Sequence, residues 1–464
     1  MRPKKSPQDR SQGELFLTEL ENIINAEHEL AQLAQLINWA ELEEHFGQQF
    51  SDHGRPGNPT RLMIGLHYLK YAYDLSDEMV LARWLENPYW QYFCGRRYFE
   101  TSLPLDSSSM TRWRKRFDQT GGEHMLKAIL DSAQACKALR ASDLKRVNVD
   151  TTTQEKDIRY PTDARSYNRM REVLVKQAHK EGIRLRQSYA RTGAKLLRNQ
   201  QCASRAKKPK QSRANTKKLR TILGRVIRDI LNKSNGKVSE EMSYLLGLAQ
   251  QIHAQQRSDS GKIYSVHEPH VSCLSKGKPQ KKYEFGNKAS FVTTAKGNWG
   301  VGALGLEGSP FDGHTLEEAL TQSARLSGSL PTQVAVDRGY RGHGCSHLAD
   351  ILITDHRKKV PRKIRKWFKR RNAIEPVIGH LKEAHRMGRN RLKGLAGDTL
   401  NPILAACGFN FRKLMAFLCS VPLHYLKCIL SYPKVYRFYV ILSNWFISCF
   451  LGKGGFARSS TIAP

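Results

Sequence analysis

Residues 147–156 read VNVDTTTQEK, and Val147-Asn148-Val149-Asp150 alternates Val with another residue before ending on a carboxylate. The pattern returns in VAVDRGYRGH, residues 334–343, where Val334-Ala335-Val336 runs into Asp337. Short Val-rich alternation predicts β-strands packed in a sheet. An Asp at the carboxyl end of such a strand lies where open α/β sheets place their chemistry. If the two strands are parallel neighbours, their ends lie about 5 Å apart, and the carboxylates repel unless a cation sits between them.

A third stretch supplies another carboxylate. Residues 367–389 read WFKRRNAIEPVIGHLKEAHRMGR, with Arg371, Glu375 and Lys382 at offsets of four and seven. Those offsets predict one face of one helix, continued by Arg386 and Arg389, with Ile374, Val377, Ile378 and Leu381 as an apolar stripe. A lone Glu in a basic stripe reads as an ion-paired surface residue. Beside two strand-end aspartates it completes an all-oxygen set suited to Mg²⁺ or Mn²⁺ and not to zinc.

VNVDTTTQEK, VAVDRGYRGH and the Arg371-x3-Glu375-x6-Lys382 spacing together resemble the DDE transposases of bacterial insertion sequences, closest to the insertion-sequence-five group. YEFGNKASFVTT (283–294), DGHTLEEAL (312–320) and RLMIGLHYLKYAYDLSDEMVLARWLENPYWQYFCG (61–95) resemble segments of the same group, collinearly over most of residues 55–415. The resemblance implies a catalytic and metal-holding triad of Asp150, Asp337 and Glu375. Phe368 departs from it, standing where the wider signature has Tyr three residues before the Arg. It further implies a ribonuclease H-like α/β core with a helical insertion and an N-terminal helical DNA-binding domain. The expected division is 1–140 for the DNA-binding domain and 141–160 plus 261–395 for the core. Residues 161–260 form the basic insertion, and 396–464 a C-terminal helix and apolar tail.

Charge points to the partner. The 464 residues carry 76 Lys and Arg against 42 Asp and Glu, a formal +34, and such an excess repels itself unless a polyanion neutralises it. Nucleic acid is the expected partner, with an anionic membrane surface as the competitor. Residues 165–234 hold 21 Lys or Arg against three Asp or Glu. This is too one-signed for an ordinary solvated face and reads as a clamp on phosphate backbone, indifferent to sequence. Nine scattered cysteines without CxxC spacing read as free thiols in a reducing compartment. The start shows no apolar signal region, so a cytoplasmic, nucleoid-associated protein is expected. No GxxxxGK[ST] is present, so nucleotide hydrolysis is not expected.

Apolar spacing predicts helix over residues 12–50, then Arg61–Tyr73, a helix over Asp77–Glu86 capped by Ser76, and a short turn from Asn87-Pro88. Asp106 to Ser109 precede MTRWRKRF, whose Arg112, Arg114, Lys115 and Arg116 share one amphipathic segment. These elements read either as a helix-turn-helix contacting DNA through Arg112 and Arg116 or as a helical bundle with a solvated basic face. Three or more helices are expected in the insertion, with residues 199–217 as a loop. Strands are expected at 262–267, 283–294, 298–306 and 351–354. Helices are expected at 315–326, capped through Asp312 or His314, and near 347–351.

His343, Cys345 and His347 lack a distant fourth ligand and read as coincidence, not a zinc site. Glu383 reads as surface and Asp355 as at most a supporting carboxylate. Composition shifts after about Arg412 to an apolar tail, whose run Phe438–Leu451 is short for a bilayer span. The expected activity is metal-dependent cleavage of an element's terminal inverted repeats and joining to target DNA, by a homo-oligomer on duplex DNA. Arg338, Arg371, Lys382 and Arg386 are expected on phosphates. A structure-selective nuclease and a non-catalytic DNA-binding descendant are the competing readings.

Overall fold

The computed structural model describes residues 18–431, apart from 49, 51–56, 235–236, 257, 276–281 and 355–361, with backbone only at 362–364 and 421–431. Asp355 and the run 438–451 lie outside the described residues. The N-terminal part is helical: α1 (Leu20–Ile23), α2 (Glu29–Leu36), α3 (Trp39–Gly47), α4 (Thr60–Ala72), α5 (Asp77–Glu86), α6 (Pro88–Phe93), α7 (Ser107–Arg114), α8 (Gln119–Ala135) and α9 (Ala141–Leu144). Three short helices replace the continuous one expected before residue 50. His28 and Asn38 side chains accept from the Leu30 and Glu41 amides, so each starts a new helix. Ser76 caps α5 as its sequence predicts, accepting from the Met79 amide.

The mixed α/β part is a six-stranded sheet made of β1 (Arg146–Glu155), β2 (Ser272–Ser275), β3 (Tyr283–Thr294), β4 (Gly300–Gly305), β5 (Gln333–Val336) and β6 (Asp350–Ile353). Its order is β2-β3-β1-β5-β6, with β4 also paired to β3. β1 runs antiparallel to β3 and parallel to β5, and β5 is parallel to β6. Three expectations fail here. Residues 262–267 form no strand, because the Gln255 side chain, and not a neighbouring strand, bonds both the amide and the carbonyl of Ile263. Residues 347–349 form a turn and bend, not the start of a helix, since Asp350 and Ile351 are already drawn into β6 opposite Gln333 and Val334. Neither Asp312 nor His314 caps the next helix; a 3-10 turn over Asp312–Thr315 leads directly into it.

Between β1 and β2 stand α10 (Asp163–Lys180), α11 (Ala190–Arg205), α12 (Pro209–Ser234) and α13 (Glu240–Ala254). The loop expected over 199–217 shrinks to Ala206–Lys208. Pro209 opens α12 where its missing N–H costs nothing, while Leu219, Leu223, Val226 and Ile230 bury its apolar face. These helices have a core of their own, from Tyr167, Met170 and Leu174 to Met242 and Ile252.

α14 (Leu316–Ser327) lies between β4 and β5, and α15 (Arg362–Arg371), α16 (Ile374–Ala384) and α17 (Gly394–Ser431) follow β6. The larger core is continuous from Leu30 through the sheet to Leu418, so the packing has no break at residue 140. α17 crosses α4 closely: a Cβ on Gly408 would lie 2.5 Å from the Tyr71 carbonyl oxygen. Glu123 of α8, buried, takes both Arg325 (2.6 Å) and Gln322 (2.9 Å) of α14. Leu414, Met415 and Leu418 are buried, so the folded core extends past the composition change at Arg412. Among the described residues α17 is the one helix long and apolar enough to cross a bilayer, yet 61% of its most apolar stretch is buried inside the protein.

Candidate active site

β1 outruns its pairing with β5. That pairing covers Arg146–Asn148, while β1 continues to Glu155 along β3. Asp150 is therefore mid-strand, not at the strand's end, on the stretch where β5 has already given way to Asp337. One Asp150 oxygen accepts from the Thr151 amide (2.9 Å), and one Asp337 oxygen accepts from the Gly339 amide (2.9 Å). Both carboxylates are thereby aimed by their own local backbone.

The helix expected through Arg371, Glu375 and Lys382 is broken. α15 stops at Arg371, Asn372 and Ala373 form a turn, and α16 starts at Ile374. Arg371 turns inward. Its Nη2 lies 2.9 Å from Asp150 Oδ2 and 3.8 Å from Asp337 Oδ2, while Nη1 lies 3.6 Å from Glu375 Oε1. One guanidinium thus touches carboxylates from three separated segments. The exposure of the acids is graded: the Asp150 side chain is 16% exposed, Asp337 40% and Glu375 64%. Burial pushes the Asp150 carboxyl up to about 6, against the pull of Arg371, with Asp337 and Glu375 adding to the rise.

The donor set fits a hard divalent cation, being oxygen-only and turned toward one positive charge. Among the described residues no group of three His, Cys, Asp or Glu side chains is close enough to hold an ion as it stands. Arg371 lies among these carboxylates, its Nε buried with no hydrogen-bond partner among the described residues.

A fourth acid was missed at the sequence level except as a cap. Asp312 accepts from Thr151 Oγ1 (2.7 Å) and Lys288 Nζ (3.0 Å). Its Oδ2 and Asp337 Oδ1 both crowd Gly339, where a Cβ would sit 2.9 and 3.0 Å from them. The signal was present in the bare polarity of Thr151 beside Asp150, but its partner lies 161 residues away.

The remaining expected residues scatter. Arg338 is exposed and follows Asp337 directly, and Lys382 is half-buried on α16. Arg386 does not continue the helix face. α16 ends at Ala384, Arg386 takes a left-handed φ of +63°, and its guanidinium donates to the Asp74 carbonyl (3.2 Å) beside the Asp74 carboxylate (3.6 Å). Arg389 is likewise off the face, 3.3 Å from Asp157. Arg112 on α7 is exposed and donates to Ser108 Oγ, and Arg116, just past that helix, lies over the Phe50 ring. Arg114, expected on the same basic segment, is buried with both Nη atoms on Asp77 (2.8 and 2.5 Å). Cys345 is buried, its amide donating to His343 Nδ1 and its thiol to the His343 carbonyl.

Two transposase families match parts of the chain. The family described as "Transposase domain (DUF772)" matches residues 18–116, and that described as "Transposase DDE domain" matches residues 349–415. An uncharacterized protein, ORF8 in the nfe locus of Rhizobium meliloti, is 49% identical over 191 residues, covering 41% of this chain and 91% of that protein. No solved structure matches. With transposase families matching at both ends of its continuous core, the chain belongs to the insertion-sequence DDE transposases, and its function is that of a DNA transposase.

Proposed function

We propose that this transposase, of the insertion-sequence-five group, cuts the ends of its element and joins them to target DNA by metal-dependent phosphoryl transfer. Asp150, Asp337 and Glu375 are the catalytic and metal-holding residues. The observation that carries the reading is the meeting of these three carboxylates, 187 and 38 positions apart in the chain, at the single Arg371 guanidinium. A β2-β3-β1-β5-β6 order with an interrupting helical insertion supports a ribonuclease H-like core for residues 141–160 plus 261–395. Residues 1–140 serve as the DNA-binding domain, residues 161–260 as the phosphate clamp, and 396–464 carry the C-terminal helix and tail.

Mg²⁺ or Mn²⁺ bound by the three acids would activate a water or 3′-hydroxyl and stabilise the leaving 3′ oxygen. Arg371 keeps the acids together beforehand by balancing their charge, and releases them when DNA phosphate competes for the guanidinium. Asp150, the most buried, is aimed by the Thr151 amide and anchors the cluster. Glu375, mostly exposed, closes it from the helix side. Arg338 and Lys382, flanking on the strand-end turn and on α16, bind phosphate, while Arg112 on α7 and Arg116 just past it contribute from the N-terminal part. Arg386, already engaged with Asp74, serves packing instead.

The test is cleavage of a labelled duplex carrying the element's end, with a gel shift on the same preparations. Asp150→Ala, Asp337→Ala and Glu375→Ala each lose cleavage and joining but keep end binding; Glu383→Ala keeps most activity. Chelator abolishes cleavage, and Ca²⁺ supports binding better than chemistry. Cleavage without joining would reassign the protein as a nuclease. Metal-independent cleavage would overturn the metal-dependent reading altogether.

A further inference from the structure

The seam between the helical insertion and the sheet holds a cavity of about 1260 Å³. Its walls are residues 156–161, which follow β1, one flank of α10, and the segments 264–268 and 390–394. None of the three carboxylates of the active site lines it. Lys156, just past the end of β1, is six residues along the extended chain from Asp150, a separation of roughly 20 Å.

The charge of this seam is positive where it faces outward. Arg159, Arg165, Arg169, Arg391 and Lys393 line it against Asp157, Glu172 and Glu268. Glu268 is turned inward, its carboxylate held by Lys156 (3.3 Å) and the Gly394 amide (3.0 Å). Lys156 is in turn neutralised by buried Asp398 at 2.6 Å. Arg165 donates to a neutral carbonyl, that of Tyr160 (2.8 Å), which cancels no charge, whereas Arg169 pairs with Glu172 (3.1 Å) besides donating to His267 (2.8 Å), and Arg391 lies 3.7 Å from Asp157. Arg159 and Lys393 are exposed.

Beside the cations stands a largely exposed aromatic ring. Tyr160 is 61% exposed, its ring edge-on to Phe285 (5.4 Å between centroids), and Phe285 meets Tyr264 at 5.3 Å. A smaller cavity of about 430 Å³, lined also by Phe285, shares Tyr160, Pro161, Ser166 and Tyr264 with the larger one, so Tyr160 stands at the border of two hollows. Cations that track a phosphodiester backbone, joined to an open aromatic face, are the elements that hold unpaired bases. A duplex keeps its bases in its own stack and offers none to Tyr160.

We propose that this seam is a binding site for unpaired DNA, with Arg159, Arg165 and Lys393 on phosphates and Tyr160 stacking on a base. The site rests on the transposase reading, because strand separation near a cleaved end is what would supply such a segment. The probe is a labelled oligo-dT of about twelve nucleotides, compared with a duplex of the same length and an oligo-rU, by fluorescence anisotropy on the full chain at one salt concentration. Tyr160→Ala weakens oligo-dT binding about tenfold and duplex binding less than about twofold, while Tyr160→Phe retains the wild-type value. Circular dichroism melting of both variants checks the fold. In parallel, photocrosslinking of bromodeoxyuridine-substituted oligonucleotide places adducts in peptides containing Tyr160 or Tyr264.

Equal losses on oligo-dT and duplex, or none on either, overturn the proposal. So do crosslinks confined to other peptides. Tighter binding of oligo-rU than oligo-dT overturns the assignment to DNA. Failure here with metal-dependent end cleavage intact in the wild type removes the seam alone; loss of metal dependence there removes the transposase mechanism instead.

Discussion

The two hydrophobic cores of this protein are built in opposite ways. The insertion, α10 to α13, comes from one uninterrupted stretch of chain and closes on its own apolar residues. The larger core gathers α2 to α8, the strands, α14 and α17 from stretches up to several hundred residues apart. Tyr71 of α4 donates to Asn401 of α17 at 2.8 Å, and Asn401 donates to Gln154 of β1 at 2.7 Å. The difference teaches where chemistry can be held rigidly. A site assembled from distant segments needs those segments locked by a common core, whereas a surface that grips phosphate needs only to be present and charged.

That contrast can be broken most directly at the level of function. Asp150→Ala, in the assembled region, lowers cleavage by roughly a thousandfold or more, the scale seen when a group central to the chemistry is removed, with end binding retained. Charge reversal of the exposed Lys207, Lys208 and Lys210 in the insertion does the reverse. Binding weakens about equally on all sequences and its salt dependence flattens, while single-turnover cleavage at saturating DNA stays near wild type. Loss on one sequence only, with the salt slope unchanged, would make the insertion a reader of sequence.

Truncation probes the assembled core from its far end. Composition alone places a dispensable tail after Arg412, but a stop there removes buried Leu414, Met415 and Leu418. The expected cost is on the order of 5 kcal/mol or more, enough to deplete folded protein. Soluble yield and a melting curve read it. A truncated chain as stable as the full one would show that these contacts are expendable.

Single cavities sharpen the same comparison. Phe411 is fully buried between Tyr68 and Phe93, so Phe411→Ala costs about 3–5 kcal/mol and lowers the melting of the N-terminal helices and sheet together. Leu223→Ala in the insertion costs about 2–5 kcal/mol but acts on a separate transition. Two calorimetric peaks, each moved by one variant, fit this picture; one peak moved by both would unite the cores.

The smallest effect is a pH dependence confined to the assembled region. His67 is fully buried, with Nδ1 on the Met63 carbonyl (2.7 Å) and Nε2 at 3.2 Å from Arg114. Burial, and then the Arg114 charge, push its pKa down from 6.5 to about 3. The folded state therefore resists a proton that the unfolded chain accepts. The associated stability is complete above pH 6.5 and is lost as pH falls toward 3, at about 1.4 kcal/mol per unit. His67→Gln, which can keep both hydrogen bonds, flattens denaturant-derived stability between pH 6.5 and 5. An unchanged slope would place the proton elsewhere.

Local chemistry in the sequence was enough for the strands at β1, β3 and β5 and for the Ser76 cap, because alternation and capping act over a few residues. The same locality explains the errors. The helix through Arg371 and Glu375 looked continuous because helical spacing takes no account of a guanidinium drawn inward by Asp150. Residues 199–217 looked like a loop because their composition is polar, while the partner face that orders them lies on α12 itself. Arg114, Arg386 and Arg389 counted equally with the other cations until Asp77, Asp74 and Asp157 came beside them. Sequence alone therefore determined which residues are acids, cations and strand formers, and through them the family. Only tertiary packing decided which charges cancel in pairs and which stay open to phosphate, because pairing is a matter of distances between segments that the chain brings together only on folding.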